Sequence, residues 1–334
     1  MRVVQILGGA EDGGLEKHTI ELSHSLAKRG IDISIIAHKK FREDFKGLNL
    51  IECDLSKSRN NPFILYKLYK ILKNENFDII HTQANKATDM VIKLKSFLDS
   101  KVISTLHSYK KNIKSFEKSD FVITVSDKIG EKLKTKKRTT IYNGIDMQEI
   151  DKIDLYQKFN IPRESFTICA IGRFVEAKRF DLLIDAFRLL KPKFQLILIG
   201  NGDKKIEESA KKERNITLTG YLKPKETKEI LKSSNLSVIT SQKEGFSYVF
   251  AESLILKTPL VSTDVADINK FIPTKFITKL DAKDIADKIE SFEKNYKENL
   301  TLYEDVFRDA RVKFSIANMT KKVVEIYKKV LDEL

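Results

Sequence analysis

The stretch FTICAIGRFVEAKRFDLLIDAF, residues 166–187, changes character twice. It opens as a short apolar run, FTICAIG (166–172), too brief for an ordinary helix and suited to a strand buried on both faces. A loop carrying Arg173 and Lys178 follows, and a helix begins near Arg179 or Phe180. The two cations therefore stand just beyond the carboxyl end of a strand. Arg offers a planar fork to two oxygens and Lys a mobile point charge, a pairing that suits a diphosphate as well as an exposed surface.

The same strand–loop–helix unit recurs outward in both directions, which predicts an α/β chain built on parallel sheets. Upstream, RVVQIL (2–7), DISIIA (32–37), DIIHT (78–82), VISTLH (102–107), FVITVS (121–126) and TIYNG (140–144) read as strands. Downstream, FQLILIG (194–200), ITLTGY (216–221), LSVITS (236–241) and PLVST (259–263) continue the second series. Two Rossmann-like sheets follow one another, with the polar segment near 150–163 as the boundary. The 334 residues suffice for two cores. The tail SIANMTKKVVEIYKKVLDEL places Ile316, Met319, Val323, Ile326, Tyr327 and Val330 on one helical face.

No apolar run approaches the roughly 20 residues that span a bilayer, and RVVQIL ends at Gly8 before an acidic loop, so it reads as a first strand and not a secretory signal. A soluble, cytoplasmic protein is expected. Two cysteines, Cys53 and Cys169, make no disulfide framework, and no Cys/His cluster points to a metal. The net charge of +14 favours anionic partners without choosing among nucleic acid, a membrane surface and phosphorylated substrates.

Two further loops suit anions. The turn after the first strand contains Gly13 and Gly14 and opens onto a helix near Leu15, so backbone can approach a ligand closely at a helix N-terminus. It matches neither the dinucleotide fingerprint nor the P-loop, which argues against NAD and ATP hydrolysis. The stretch SQKEGFSYVFAES (241–253) runs from strand to loop to a helix beginning near Ser247. Its backbone N–H groups at Ser247, Tyr248 and Val249 can receive phosphate oxygens. Glu252 can lean back toward the same ligand, where two acceptor oxygens suit a ribose diol; Glu244, in the loop, can accept from hydroxyls. A capping carboxylate and an ordinary helix glutamate are the alternative for this pair.

Taken together, GGLE (13–16), SDFVITVSD (119–127), IYNGID (141–146), GRFVEAKRFDLLIDAF (172–187), LILIGNGD (196–203), LTGYL (218–222) and EGFSYVFAES (244–253) resemble, in order and spacing, the retaining GT-B glycosyltransferases of glycosyltransferase family 4. The last piece holds that family's E-x7-E motif. The resemblance implies two Rossmann-like domains facing across a cleft: residues 1–155 binding the acceptor, 156–314 the nucleotide sugar, and 315–334 a helix crossing back to the first. It implies that Arg173 and Lys178 bind the diphosphate, Glu252 the ribose and Glu244 the sugar. Gly245, Phe246, Ser247, Tyr248 and Val249 would line the phosphates and sugar, and Gly13 and Gly14 would close over the phosphates. His107 would contact the donor sugar and His81 would line the acceptor cleft, with a buried core histidine the alternative for His81; His18 and His24 receive no role.

A front-face, retaining transfer without metal or cofactor is implied, from a UDP-sugar by default to a saccharide or lipid-linked acceptor in bacterial surface glycan assembly. Two departures stand out. The family's Lys-Gly is here Lys178-Arg179, and its glycine-rich segment after the strand at 259–263 is DVADINKF (264–271). The basic, aromatic segment 60–73 reads either as an interfacial helix on an anionic membrane or as a helix packed on its own sheet. A GT-B protein that binds nucleotide sugars without transfer, a nucleotide-sugar epimerase and, on charge alone, a nucleic-acid-binding module are the competing functions.

Overall fold

The structure is a computed structural model that describes residues 1–11 and 13–333. It divides into two compact units, Met1–Asp146 with Lys313–Leu334, and Met147–Val312. The change of unit thus falls ahead of the boundary expected at 155.

The first unit holds strands β1 (Arg2–Leu7), β2 (Asp32–Ala37), β3 (Asn49–Glu52), β4 (Ile79–Gln83), β5 (Lys101–Leu106), β6 (Phe121–Thr124) and β7 (Arg138–Thr140). They form one parallel sheet in the order β3-β2-β1-β4-β5-β6-β7. Successive side chains of a strand point to opposite faces, and the two faces are both apolar. Val3, Ile33, Ile79, Ile103 and Phe121 pack beneath the helices Gly14–Lys28 and Ile316–Asp332, through Leu22, Leu26, Met319, Val323 and Tyr327. Val4, Ile6, Ile36, Ile80 and Val102 pack on the other side against Leu68 and Leu72 of Pro62–Glu75 and Met90 and Val91 of Ala84–Leu94.

The second unit repeats the plan with β8 (Phe166–Ile171), β9 (Phe194–Ile199), β10 (Ile216–Gly220), β11 (Leu236–Ile239), β12 (Leu260–Thr263) and β13 (Ile277–Thr278). Their order is β10-β9-β8-β11-β12-β13, again parallel. In each sheet the chain starts in the middle, builds outward to one edge, and returns to build the other. The first strand and the one that begins the return leave a crevice at their carboxyl ends, the usual ligand position in such sheets.

The structure corrects one expected strand. Only the first residue of TIYNG lies in the sheet: β7 is Arg138–Thr140, and Tyr142–Gly144 turn away to meet the returning tail. Ile145 N donates to Phe314 O at 2.7 Å, and Gly144 N lies 3.0 Å from Met319 Sδ. A Cβ on Gly144 would stand 2.6 Å from Ile316 Cα, so the glycine is required by the close approach of the last helix.

Candidate functional site

In the second sheet the switch point lies between β8 and β11, and the loops that follow these two strands carry the acidic and basic residues singled out in the sequence. The β8 loop is held from below by its neighbour. Phe174 N donates to Asn201 O at 2.7 Å and Asp203 N to Phe174 O at 2.9 Å. Gly200 and Gly202 sit at φ 132° and 150°; a Cβ on the first would overlap the Gly172 carbonyl, and one on the second would lie 2.5 Å from Phe174 O. The glycines of LILIGNGD therefore exist to let one loop lie against the other. Arg173, caught between these anchored neighbours, is exposed, and among the described residues its guanidinium makes no ion pair.

Lys178 is placed differently. Its ammonium meets Glu244 Oε1 at 2.6 Å, with the two side chains only 25% and 10% exposed. Ser241 Oγ donates to the same oxygen at 2.7 Å. The loops themselves are stitched by Thr240 Oγ1 to Lys178 O and Gln242 N to Ala177 O, both at 2.8 Å. Lys178, Glu244, Ser247 and Val249 line one small recess with Thr240 and Ser241. The helix Tyr248–Ile255 starts there, with Ser247 as N-cap accepting from Phe250 N at 3.3 Å. Phe246 and Tyr248 meet edge to face at 5.4 Å, bracketing the buried Ser247. Gly245 and Glu252 are half-buried, Glu252 little more than a turn into the helix. Arg173, Lys178, Glu244, Gly245 and residues 246–249 thus cluster at one sheet end.

The two departures from the family pattern have a backbone explanation. Arg179 adopts φ 51°, ψ 42°, the left-handed conformation a glycine takes without strain. Its guanidinium turns away onto Asp181, bonding both carboxylate oxygens at 2.8–3.1 Å. The extra cation is thus engaged on its own helix. In DVADINKF, Ala266 and Asp267 also have positive φ, 49° and 63°, so two non-glycine residues hold the backbone shape that glycines would favour.

In the first unit the switch point lies between β1 and β4. Gly13 is the extended N-cap of Gly14–Lys28, and the Glu16 carboxylate of the first turn folds back beneath it, 3.4 Å from where a Cβ on Gly13 would be. This carboxylate already faces the positive end of the helix. His107 follows β5, half-buried, with Nε2 donating to Gln83 Oε1 at 2.8 Å and its ring edge-to-face with His18 at 4.7 Å. Burial, with His18 and His81 nearby, holds its pKa well below the usual histidine range.

Of the two readings of His81, the acceptor-cleft one is corrected and the buried core histidine is what the structure shows. His81 is fully buried, with Nδ1 2.6 Å from Tyr327 Oη and Nε2 2.7 Å from Thr105 Oγ1. Burial depresses its pKa to about 3, and the ring ties β4 to the last helix. His18, passed over in the sequence, is buried beside Asn143; its pKa falls to about 4 through burial, slightly offset by Asn143. Sequence reasoning also missed Ser241 and Gln83. Ser241 belongs to the quoted loop but carries no motif, and Gln83 meets His107 only through strand register.

Comparison with known proteins extends the picture. Residues 12–149 match the family described as Glycosyltransferase Family 4, and residues 151–307 match Glycosyl transferases group 1. The chain is 25% identical over 265 residues to the lipopolysaccharide core biosynthesis glycosyltransferase LpsE of Rhizobium meliloti, covering 76% of each chain. It is 26% identical over 348 residues to an uncharacterised glycosyltransferase of Methanocaldococcus jannaschii, covering 96% of this chain and 95% of that one. Among solved structures, a glycosyltransferase from Rickettsia africae superposes with a TM-score of 0.85 at 20% identity, over 100% of this chain and 99% of that one. Anabaena HepE in complex with UDP-glucose superposes with a TM-score of 0.82 at 16% identity, over 98% and 100%.

Proposed function

We propose, from the premise that this chain is a glycosyltransferase of GT-B architecture, that it moves a sugar with retention from a nucleotide-diphosphate sugar to a saccharide or lipid-linked saccharide. The observation that carries this reading is the convergence of the Arg173–Lys178 loop and the Glu244–Glu252 segment at the switch point of the second sheet, joined by the 2.6 Å contact between Lys178 and Glu244. A sheet end that gathers two cations, the Glu244 carboxylate and a helix N-terminus suits a diphosphate ligand that also carries hydroxyls. UDP is taken as the nucleotide, since HepE is known with UDP-glucose. Bacterial glycan assembly is taken as the setting, since LpsE acts in lipopolysaccharide core biosynthesis.

In this reading Glu252 holds the ribose hydroxyls and Arg173 the diphosphate. Lys178 is shared between Glu244 and a phosphate oxygen, while the second oxygen of Glu244 accepts from the donor sugar. The bond from the anomeric carbon to the phosphate oxygen breaks, and the electron pair leaves with the diphosphate. The same phosphate takes the proton of the acceptor hydroxyl, whose oxygen forms the new bond on the face just vacated. Arg173, Lys178 and the N–H groups at 247–249 stabilise the charge that grows on the leaving group, the contribution that usually dominates such catalysis. In this reading no metal is needed, because fixed cations supply its charge. A panel of UDP-, GDP- and ADP-sugars, with product configuration read by NMR, tests this. Turnover with the anomeric configuration kept is expected; inversion overturns the mechanism, and interconversion of free donors without any acceptor establishes an epimerase.

A membrane-facing reading of the first unit has its own observation. On Pro62–Glu75 the apolar face packs on the sheet, yet Phe63 is 83% and Tyr66 59% exposed, and Lys70 lies over the Tyr66 ring at 5.2 Å. Among the described residues no helix is long and apolar enough to cross a membrane. Exposed aromatics among lysines suit the headgroup region of the cytoplasmic leaflet. Sedimentation with phosphatidylglycerol vesicles at low salt is expected to recover the protein and to fail for Phe63→Ser with Tyr66→Ser.

A further inference from the structure

We propose that Gln83, itself oriented by Gln5, is a positioning residue that holds His107 with its proton on Nε2, leaving Nδ1 to accept a hydrogen bond from a hydroxyl of the donor sugar. The proposal rests on the reading that His107 meets the donor. It starts from strand register. Gln5 pairs with His81 across β1 and β4, and Gln83, two residues on, points to the same face and pairs with Thr105 of β5. The three strands thus bring Gln5, Gln83 and the end of β5 into one row.

The row has a direction. Gln83 Nε2 donates to Gln5 Oε1 at 2.6 Å, which turns Gln83 Oε1 toward His107 Nε2 at 2.8 Å. A carbonyl oxygen can only accept, so the ring nitrogen facing it must carry the proton. Both glutamines are buried, and the chain ends inside the protein on Gln5 Nε2, which has no partner. An unpaired buried amide is costly, and the structure keeps it at the far end from His107. His18 supports the ring from the helix Gly14–Lys28, edge to face at 4.7 Å. His107 Nδ1 carries no hydrogen bond among the described residues and is not one of the buried unpaired atoms, so it is open to a ligand.

The titratable groups that face His107 are His18 from the first helix and His81 from β4. Both oppose a charge on His107, as does burial, so the ring stays neutral and the choice between its two nitrogens falls to Gln83. A glutamate at position 83 would reverse this. Its carboxylate favours the imidazolium, whose Nδ1 donates and can no longer accept.

The test joins a spectrum to a pH profile. Long-range ¹H–¹⁵N spectra of ¹⁵N-histidine-labelled protein, with His107 assigned by its loss in His107→Ala, are expected to show the neutral Nε2–H tautomer from pH 8 down to 6. The Nδ1–H tautomer, or an imidazolium in that range, overturns the proposal, and neither requires a donor. With UDP-glucose, Gln83→Glu is expected to lose about tenfold in kcat/KM between pH 8 and 6 relative to wild type, while remaining folded at both. Gln83→Leu is expected to show both tautomers and a fall of about tenfold with no new acid limb. A wild-type pH profile in Gln83→Glu overturns the positioning role. Failure of the wild type to turn over any nucleotide sugar would overturn instead the transferase reading, and the spectrum separates the two.

Discussion

Arg179 departs from the family pattern yet holds the left-handed backbone conformation that a glycine takes there without strain. The left-handed backbone costs a non-glycine residue about 1–2 kcal/mol, and the Asp181 pairing, being partly exposed, returns little of that. Relief of strain in Arg179→Gly is offset by the extra freedom of glycine in the unfolded chain, about 0.5–1 kcal/mol. Urea unfolding of Arg179→Gly is therefore expected within about 1 kcal/mol of wild type, whereas Arg179→Val, bulky and β-branched at positive φ, should lose about 2 kcal/mol. Equal losses would mean that backbone strain is not what distinguishes this position. Lys178 next to it was legible as a cation beyond a strand, but its 2.6 Å contact with Glu244 was not. The two are 66 residues apart, and only the adjacency of β8 and β11 brings them together.

At the scale of elements, strands buried on both faces were easy to read, because Val- and Ile-rich runs leave no other period. The edges were not. β3 (NLIE) is half-exposed and alternates weakly, and β13 is two residues long, so neither leaves a sequence pattern. TIYNG reads as a strand because it has the right composition, and it leaves the sheet because Gly144 admits the final helix, a contact made across 172 residues of sequence. The loop after β9 is the element on which the site depends most. Gly202→Ala forces a side chain toward Phe174 O at a positive φ, and a loss of about 1–3 kcal/mol is expected. The same substitution should weaken UDP binding severalfold while far-ultraviolet circular dichroism stays unchanged, because the Arg173 loop shifts and the sheet does not. Unaltered affinity would show that the Gly202 contact does not set the position of Arg173.

For the whole molecule, the buried histidines tie stability to pH. His18 and His81 have folded pKa values of about 4 and about 3, below the unfolded 6.5, and His107 is lowered as well. A base whose folded pKa is depressed stays neutral in the native state while the unfolded chain takes up protons, so its contribution is present above pH 6.5 and is lost as pH falls toward the folded values. Each such group costs about 1.4 kcal/mol per pH unit within that window. Unfolding of the first unit is expected to become steeply easier between pH 6.5 and 4, and His18→Gln should flatten the slope by about one proton. An unchanged slope in that variant would mean that His18 is charged in the native protein. In the proposed function, the end of the second sheet grips a nucleoside diphosphate through Arg173 and Lys178. Calorimetric titration of UDP, GDP and ADP into wild type and into the double variant Arg173→Ala with Lys178→Ala tests it most directly. At least one nucleotide should bind the wild type and lose about 100-fold or more in the variant; equal binding to both proteins, or no binding of any of the three to wild type, would contradict it.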